Sequence, residues 1–291
     1  MISIMNALFM MDIMNKNLKA CTMPARLRRQ TMTSPSTALI TGASSGIGAT
    51  YADRLARRGH DLVLVARDQA RMEALATRLR REANVAVDIL PADLTVSADL
   101  ARVEARLRED RRIGLLVNNA GAAAHGSFSE PDLDALEQLI RLNVTALTRL
   151  AGAAVPQFLA KGEGAIINLT SVVALAPEFP LGIYAATKAF VLTFSQSLQT
   201  ELGPRGVYVQ AVLPAATRTE LWERSGRDVD SLQGVMEVGE MVDAALVGFD
   251  RRELVTLPSL PDAGQWETLN AARLAMLPNF GQTHAAARYR A

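Results

Sequence analysis

Cysteine is almost missing from this chain. The single Cys21 among 291 residues excludes an intrachain disulfide and a cysteine-ligated metal centre, and it fits a reducing compartment. Histidine is nearly as scarce. His60, His125 and His284 do not lie at metal-ligand spacing from one another, which leaves little for a zinc site or a histidine-based triad. Charge of one sign is not in excess either: 31 Lys and Arg face 30 Asp and Glu, so no general field draws in nucleic acid or an anionic membrane. No apolar run approaches the roughly 20 residues that cross a bilayer. The expectation is a soluble, cytoplasmic protein that engages no nucleic acid, membrane or metal.

What is present is the composition of a globular protein, with 49% hydrophobic and 21% charged residues. From Thr37 onward, short β-rich runs alternate with helical stretches. The strand candidates are Ala38 to Thr41, Leu62 to Ala66, Val85 to Leu90, Ile113 to Val117, Ala165 to Leu169 and Val207 to Leu213. Several are nearly continuous apolar runs, as in parallel strands covered on both faces. Stretches such as Asp68 to Glu82 and Ala98 to Glu109 read as amphipathic helices. Strands separated by helices imply right-handed crossovers, and hence an α/β fold: a three-layer, Rossmann-like doubly wound parallel sheet. A last run, Leu254 to Leu257, and a helical stretch from Asp262 to Leu277 read as a final strand and closing helix of one domain covering 34–291. Residues 1–33, rich in Met and carrying Arg26, Arg28 and Arg29, read as a disordered extension or a start assigned too early. A targeting peptide is the weaker reading, because no apolar stretch follows a charged beginning.

The first chemically informative segment is Thr41-Gly42-Ala43-Ser44-Ser45-Gly46-Ile47-Gly48, between the first strand and a helix that runs to about Arg58. Glycines there let the backbone turn tightly and approach a pyrophosphate, whose charge the helix N-terminus favours. Taken alone, such a turn is also ordinary loop chemistry. The second strand ends in Ala66-Arg67-Asp68, where NAD-binding folds commonly carry an acid for the ribose hydroxyls. A guanidinium at Arg67 suits a 2′-phosphate, so NADP(H) is expected in preference to NAD(H). The alternative, a solvated Arg67 with Asp68 on the ribose, stays open at this point.

Tyr184 and Lys188 stand four residues apart at the start of a helical segment, which puts phenol and ammonium on one face. A nearby ammonium is expected to lower the phenol pKa towards neutrality and make it a usable acid or base. Ser171, at the end of the strand Ala165 to Leu169, can hydrogen-bond a substrate oxygen opposite the phenol.

With these motifs in this order, the chain from Thr37 to Thr219 resembles the short-chain dehydrogenase/reductase family, in the branch carrying T-G-x-x-x-G-x-G and Y-x-x-x-K. The resemblance implies further roles. Asn118-Asn119-Ala120-Gly121 matches the family's N-N-A-G motif, which supports the sheet and lines the cofactor site; Asp93, followed by Leu94, matches the acid that contacts adenine; Asn143 matches the asparagine that holds a water in the proton relay. Pro214-Ala215-Ala216-Thr217-Arg218-Thr219 matches the family's P-G-x-x-x-T with Ala215 in place of Gly, and Thr219 is expected at the nicotinamide carboxamide. An Ala there costs on the order of a kcal/mol if the backbone needs positive φ, and nothing otherwise.

The cofactor set implied is therefore Gly42, Ser44, Ser45, Gly46, Ile47, Gly48, Arg67, Asp93, Leu94, Asn119, Ala120, Gly121, Tyr184, Lys188, Pro214, Thr217 and Thr219, and the catalytic set Asn143, Ser171, Tyr184 and Lys188. The implied activity is hydride transfer between NADPH and a small or medium carbonyl or alcohol substrate, class EC 1.1.1.-, with Tyr184 as proton donor and Lys188 on the nicotinamide ribose. The competing class is a non-catalytic NADPH-binding regulator, disfavoured by the complete acid-base set. The resemblance also implies a homodimer or homotetramer. The segment from Thr217 to Gly239, with Trp222, is expected to cover the substrate pocket and to move before binding, and His125 reads as a loop residue near it.

Overall fold

The computed structural model describes residues 35–123, 128–179, 181–220, 222 and 228–290. His125 and residues 1–33 lie outside them. The chain runs through β1 (Thr37–Thr41), α1 (Gly46–Arg57), β2 (Leu62–Ala66), α2 (Gln69–Ala83), β3 (Val87–Pro91), α3 (Ser97–Glu109) and β4 (Ile113–Asn118). It continues through α4 (Leu133–Ile140), α5 (Leu147–Lys161), β5 (Gly164–Leu169), α6 (Gly182–Leu202), β6 (Val207–Val212), α7 (Val238–Asp250), β7 (Val255–Thr256) and α8 (Ala263–Ala275). Each strand read from the sequence is present within two residues of its expected ends. The largest slip is at β3. Asn84 caps α2 in the left-handed region (φ 54°), and the Ala86 amide is taken by the Asp61 carboxylate at 2.8 Å, so pairing starts only at Val87.

The seven strands form one sheet in the order β3-β2-β1-β4-β5-β6-β7. Every neighbouring pair is parallel. Because side chains alternate across a strand, the apolar runs feed two cores at once. On one face Ile40, Leu64 and Ile167 pack with Leu55 of α1, Met72 of α2 and Val242 of α7. On the other, Leu39, Val65 and Ile166 pack with Val103 of α3, Phe158 of α5 and Leu202 of α6. This is the doubly wound, three-layer arrangement.

The chain order reverses between β1 and β4, and in such sheets the crevice beyond the carboxyl ends of the strands at that point is where ligands bind. Two compact units are distinguished, one within Met32–Ser259 and one that includes Leu260–Ala291. The first holds the whole sheet. In the second, α8 is capped by Asp262, whose carboxylate accepts from the Gly264 amide at 2.8 Å, and none of its residues is buried. Among the described residues no helix is long and apolar enough to cross a membrane.

Candidate active site

Each strand from β1 to β6 delivers the residues that follow it to one cavity of about 960 Å³ above the carboxyl ends of the sheet. After β1 comes the glycine turn. Gly42 and Gly46 take positive φ (67° and 52°), which only glycine adopts freely. A Cβ on Gly42 would lie 2.7 Å from Asn119 Nδ2. The turn is held from beneath by Thr41 and Asn119. Thr41 Oγ1 accepts from the Asn119 and Ala120 amides at 3.0 and 2.9 Å, while Asn119 Nδ2 donates to the Thr41 carbonyl at 2.8 Å. Helix α1 opens directly on the cavity with no acid in its first turn, so its unpaired amides face the space with a positive field. This backbone cradle fits a pyrophosphate. Ser44, Ser45, Gly46 and Ile47 line it, but Gly48 does not; it packs against the Gly42 carbonyl, where a Cβ would collide. Gly48 therefore shapes the turn rather than forming the wall expected of it.

After β2, Arg67 projects from the cavity rim with its side chain 73% exposed, and its one ion pair among the described residues is a long one, 3.8 Å to Asp93. Asp68 is otherwise engaged: it caps α2, accepting from the Arg71 amide at 3.0 Å. A helix cap satisfies an orphan amide and holds the carboxylate there. Asp93 lines the same end with Leu94, its Oδ1 accepting from the Thr95 amide and hydroxyl at 2.9 and 2.7 Å. Arg67, Asp68 and Asp93 thus stand together at this rim, with the Asp68 carboxylate occupied by the Arg71 amide.

Ser171 and Tyr184 both line the cavity. Ser171 follows β5 and is fixed from the far side, its Oγ donating to the Pro214 carbonyl at 3.2 Å. Tyr184 is in the first turn of α6 and Lys188 one turn on, with Nζ 5.7 Å from the phenol ring centroid and donating to the Leu169 carbonyl at 3.1 Å. Burial pushes the Tyr184 phenol up, and the Ser171 hydroxyl acts in the opposite direction. Burial also pulls Lys188 down from 10.5 to about 8. Desolvation thus disfavours both charged forms.

Asn143 is buried behind the wall, within a π-helical turn, Arg141–Ala146, that joins α4 to α5. Its amide donates to the Ala122 carbonyl (2.9 Å) and to Thr187 Oγ1 (3.2 Å), and its carbonyl accepts from the Ala122 amide (2.9 Å). The side chain clamps the segment after β4, at Ala122, against α6 and does not line the cavity. Such π turns recur at functional sites.

After β6 the replaced glycine turns out harmless. Ala215 is absent from the residues at positive φ, so the backbone there asks nothing of glycine. Pro214, Thr217 and Thr219 reach the cavity. The Thr219 methyl lies 3.2 Å from where a Gly46 Cβ would stand, closing one side of the α1 cradle. Thr217 is tied to Met236 by a parallel bridge, and the Trp222 indole donates to the Thr217 carbonyl at 2.7 Å.

Sequence reasoning left most of two groups of residues unnamed, although Leu232 falls in the Thr217 to Gly239 segment expected over the pocket and Asn118 in the motif expected to support the sheet. Val173, Phe179, Leu181 and Leu232 join Trp222 in an apolar end of the cavity. Beneath the site, Asn118 Nδ2 donates to Asn168 Oδ1 (3.0 Å), and Asn168 Nδ2 to Ser195 Oγ (2.9 Å), a buried chain that pins α6 to β4 and β5. An Asn inside the apolar β5 run was the available signal for the second. Nothing in loop composition signalled the first. Among the described residues, no cluster of three or more His, Cys, Asp or Glu could hold a metal ion.

Residues 36–230 match the family model for short chain dehydrogenases. Among solved structures, a short-chain dehydrogenase from Sphingobium yanoikuyae in complex with NADPH is 64% identical, covers 88% of this chain and 100% of its own, and superposes with a TM-score of 0.86. The bulky-bulky ketone specific alcohol dehydrogenase from Comamonas testosteroni is 55% identical over 89% of this chain and 100% of its own, with a TM-score of 0.83. Among curated proteins, the very-long-chain 3-oxoacyl-CoA reductase of Rattus norvegicus is 34% identical over 188 residues, 63% of this chain, and the match spans 60% of that protein's length.

Proposed function

The chain belongs to the short-chain dehydrogenase family, and we propose that within it the protein is an NADPH-dependent carbonyl reductase and alcohol dehydrogenase for ketones with bulky groups on both sides of the carbonyl. The observation that carries this reading is one cavity with a backbone cradle and Arg67 at one end, apolar side chains at the other, and the Ser171–Tyr184 hydroxyl pair between them. The NADPH complex of the Sphingobium relative supports the cofactor, and the ketone specificity of the Comamonas relative supports the substrate class.

Gly42, Ser44, Ser45, Gly46 and Ile47 would hold the pyrophosphate, with Asn119, Ala120 and Gly121 beside them, Arg67 the 2′-phosphate, Asp93 and Leu94 the adenine, and Pro214, Thr217 and Thr219 the nicotinamide end. NADPH supplies the hydride in this chemistry, and the protein supplies position and electrostatics. Ser171, its single hydroxyl proton turning from the Pro214 carbonyl, orients the substrate carbonyl by donating a hydrogen bond to its oxygen. Tyr184, kept protonated by burial, donates the proton that the developing alkoxide needs. Lys188, behind the phenol, stabilises the phenolate left by that transfer and holds the ribose; Asn143 positions Gly121 and Thr187 about them. In alcohol oxidation the same groups act in reverse.

The enzyme is further proposed to work in the cytoplasm as a homodimer or homotetramer, for which the single cysteine and the exposed Ile140 of α4 and Phe190 of α6 are the supports.

The test is oxidation of NADPH and NADH, followed at the nicotinamide absorbance, against aryl and alkyl ketones, diketones and a 3-oxoacyl thioester, with wild type and Tyr184→Phe. Ketone-dependent NADPH oxidation that disappears in Tyr184→Phe is expected. NADPH binding without turnover across the panel, unchanged by the substitution, would sink the reductase in favour of a cofactor-binding regulator.

A further inference from the structure

The cavity rim carries a charge pair that neither the fold nor hydride transfer requires. Arg71, in the first turn of α2, donates through Nη1 to both carboxylate oxygens of Glu220 at 2.7 and 2.6 Å, across 149 residues of sequence. Its Nε also lies 3.3 Å from Asp68 Oδ2. Asp68 and Glu220 both line the cavity, Asp68 beside Arg67 and Glu220 next to Thr219. The guanidinium therefore spans the two lips of the groove.

The arm that carries Glu220 is anchored. Met236 donates its amide to the Ala216 carbonyl, and Arg218 donates its own to the Met236 carbonyl, both at 2.9 Å. The Arg218 side chain pairs with Asp230 at 2.5 Å and Glu237 at 2.8 Å. Thr219 already leans on the N-terminus of α1. Glu220 thus reaches α2 from beside Thr219, which stands against the cradle at Gly46, and lines the same cavity as Asp93, Ser171 and Tyr184.

Resting on the cofactor assignment above, we propose that the Arg71–Glu220 ion pair is a clasp closed over the waist of the dinucleotide: these two residues retain the cofactor without touching the reacting atoms. A dinucleotide held at both ends cannot leave past the arm while the bridge stands. Opening that bridge is part of its release. Both side chains are partly exposed, 49% and 39%, so the pair contributes modestly, and a change of about two- to fivefold in release rate is the expected scale. The clasp acts on the shared waist and is indifferent to the 2′-phosphate.

The experiment is stopped-flow release of NADPH and NADH from wild type, Arg71→Met, Glu220→Gln and the charge swap Arg71→Glu/Glu220→Arg, read by nicotinamide fluorescence on displacement with excess oxidised cofactor. Thermal unfolding of the four proteins runs in parallel. Each single variant is expected to release both cofactors about two- to fivefold faster at unchanged melting temperature, the swap to return towards wild type, and added salt to shrink the differences. Wild-type release rates in the single variants would overturn the clasp alone. Faster release in Arg71→Met with slower release in Glu220→Gln, for NADPH only, would overturn it in favour of Arg71 as a direct phosphate ligand with which Glu220 competes. Failure of wild type to bind either cofactor would overturn the cofactor assignment and the clasp with it.

Discussion

The two ends of the cavity are built from different materials. At the end proposed for adenosine and pyrophosphate the wall is largely main chain: two glycines at positive φ, the open amides of α1, and a turn held by Thr41 and Asn119. At the other end the wall is side chain, with Val173, Phe179, Leu181, Trp222 and Leu232 contributed by segments after β5 and β6. A main-chain wall dictates residue identity, because only glycine fits where a Cβ would strike Asn119 or the Gly42 carbonyl. A side-chain wall dictates only size and apolarity, and many sequences meet that demand. One end is therefore expected to fail sharply on substitution and the other to drift.

The sharpest failure is expected where the ends meet. Lys188→Met removes the ammonium behind the phenol and should lower ketone turnover by about 10²- to 10⁴-fold. Its effect on stability has the opposite sign. The folded pKa is about 8, below the ordinary 10.5, so between those values the unfolded chain holds a proton that the folded chain has released. Wild-type stability therefore rises with pH across that window, and below pH 8 the buried ammonium costs up to about 3 kcal/mol. Urea unfolding at pH 7 and pH 10 should show Lys188→Met more stable than wild type at pH 7 and without the rise. A variant less stable at pH 7 would mean that the bond from Nζ to the Leu169 carbonyl outweighs desolvation.

Gly48→Ala sharpens the contrast from the main-chain side. Its Cβ would meet the Gly42 carbonyl, so the turn must shift, with about 1–3 kcal/mol lost in stability and more than about tenfold in NADPH affinity. Gly152→Ala, within α5 with nothing within 4 Å of the added carbon, is the matched control and should gain about 0.5–1 kcal/mol. Calorimetric titration with NADPH and thermal unfolding of both variants check the pair. Equal behaviour would end the claim that the cradle depends on close backbone approach.

The same division explains what was legible in the sequence. Apolar runs interrupted by amphipathic stretches gave the parallel sheet, because strands covered on both faces must be apolar throughout, and the glycine spacing gave the turn. Ser171, Tyr184 and Lys188 could be picked out as candidates because the proposed chemistry needs those side chains at fixed steps along a strand end and a helix, and all three line one cavity. The pKa directions were not legible, since burial of the pair is a property of the packed α6 and β5. Nor were the partners of Asn143, whose amide meets Ala122 and Thr187 from a π turn that sequence spacing does not reveal. Phe179 and Leu232 looked like any loop hydrophobes. The Arg71–Glu220 pair joins residues that only the crossover brings together.

Arg67 is the cationic side chain proposed to meet the 2′-phosphate at the main-chain end. With 73% of its side chain exposed it contributes little to folding, so Arg67→Ser should leave thermal stability unchanged. A charge-assisted hydrogen bond to a phosphate at so exposed a site is worth the low end of its range, so the ratio of kcat/KM for NADPH to that for NADH should fall by about tenfold. An unchanged ratio would hand the phosphate to other residues.

Phe179 tests the drift expected of the side-chain end, and its effect should be the smallest. The ring is 55% exposed on the cavity wall, so a bound ketone would cover part of it. Truncation in Phe179→Ala forfeits roughly 1 kcal/mol of that contact, or about fivefold in KM for ketones bulky on both sides. Small methyl ketones, which do not reach the ring, should be unaffected, and so should KM for NADPH. A loss that is equal for small and bulky ketones would mean that the ring positions the carbonyl itself, and the side-chain end would then be as exacting as the cradle.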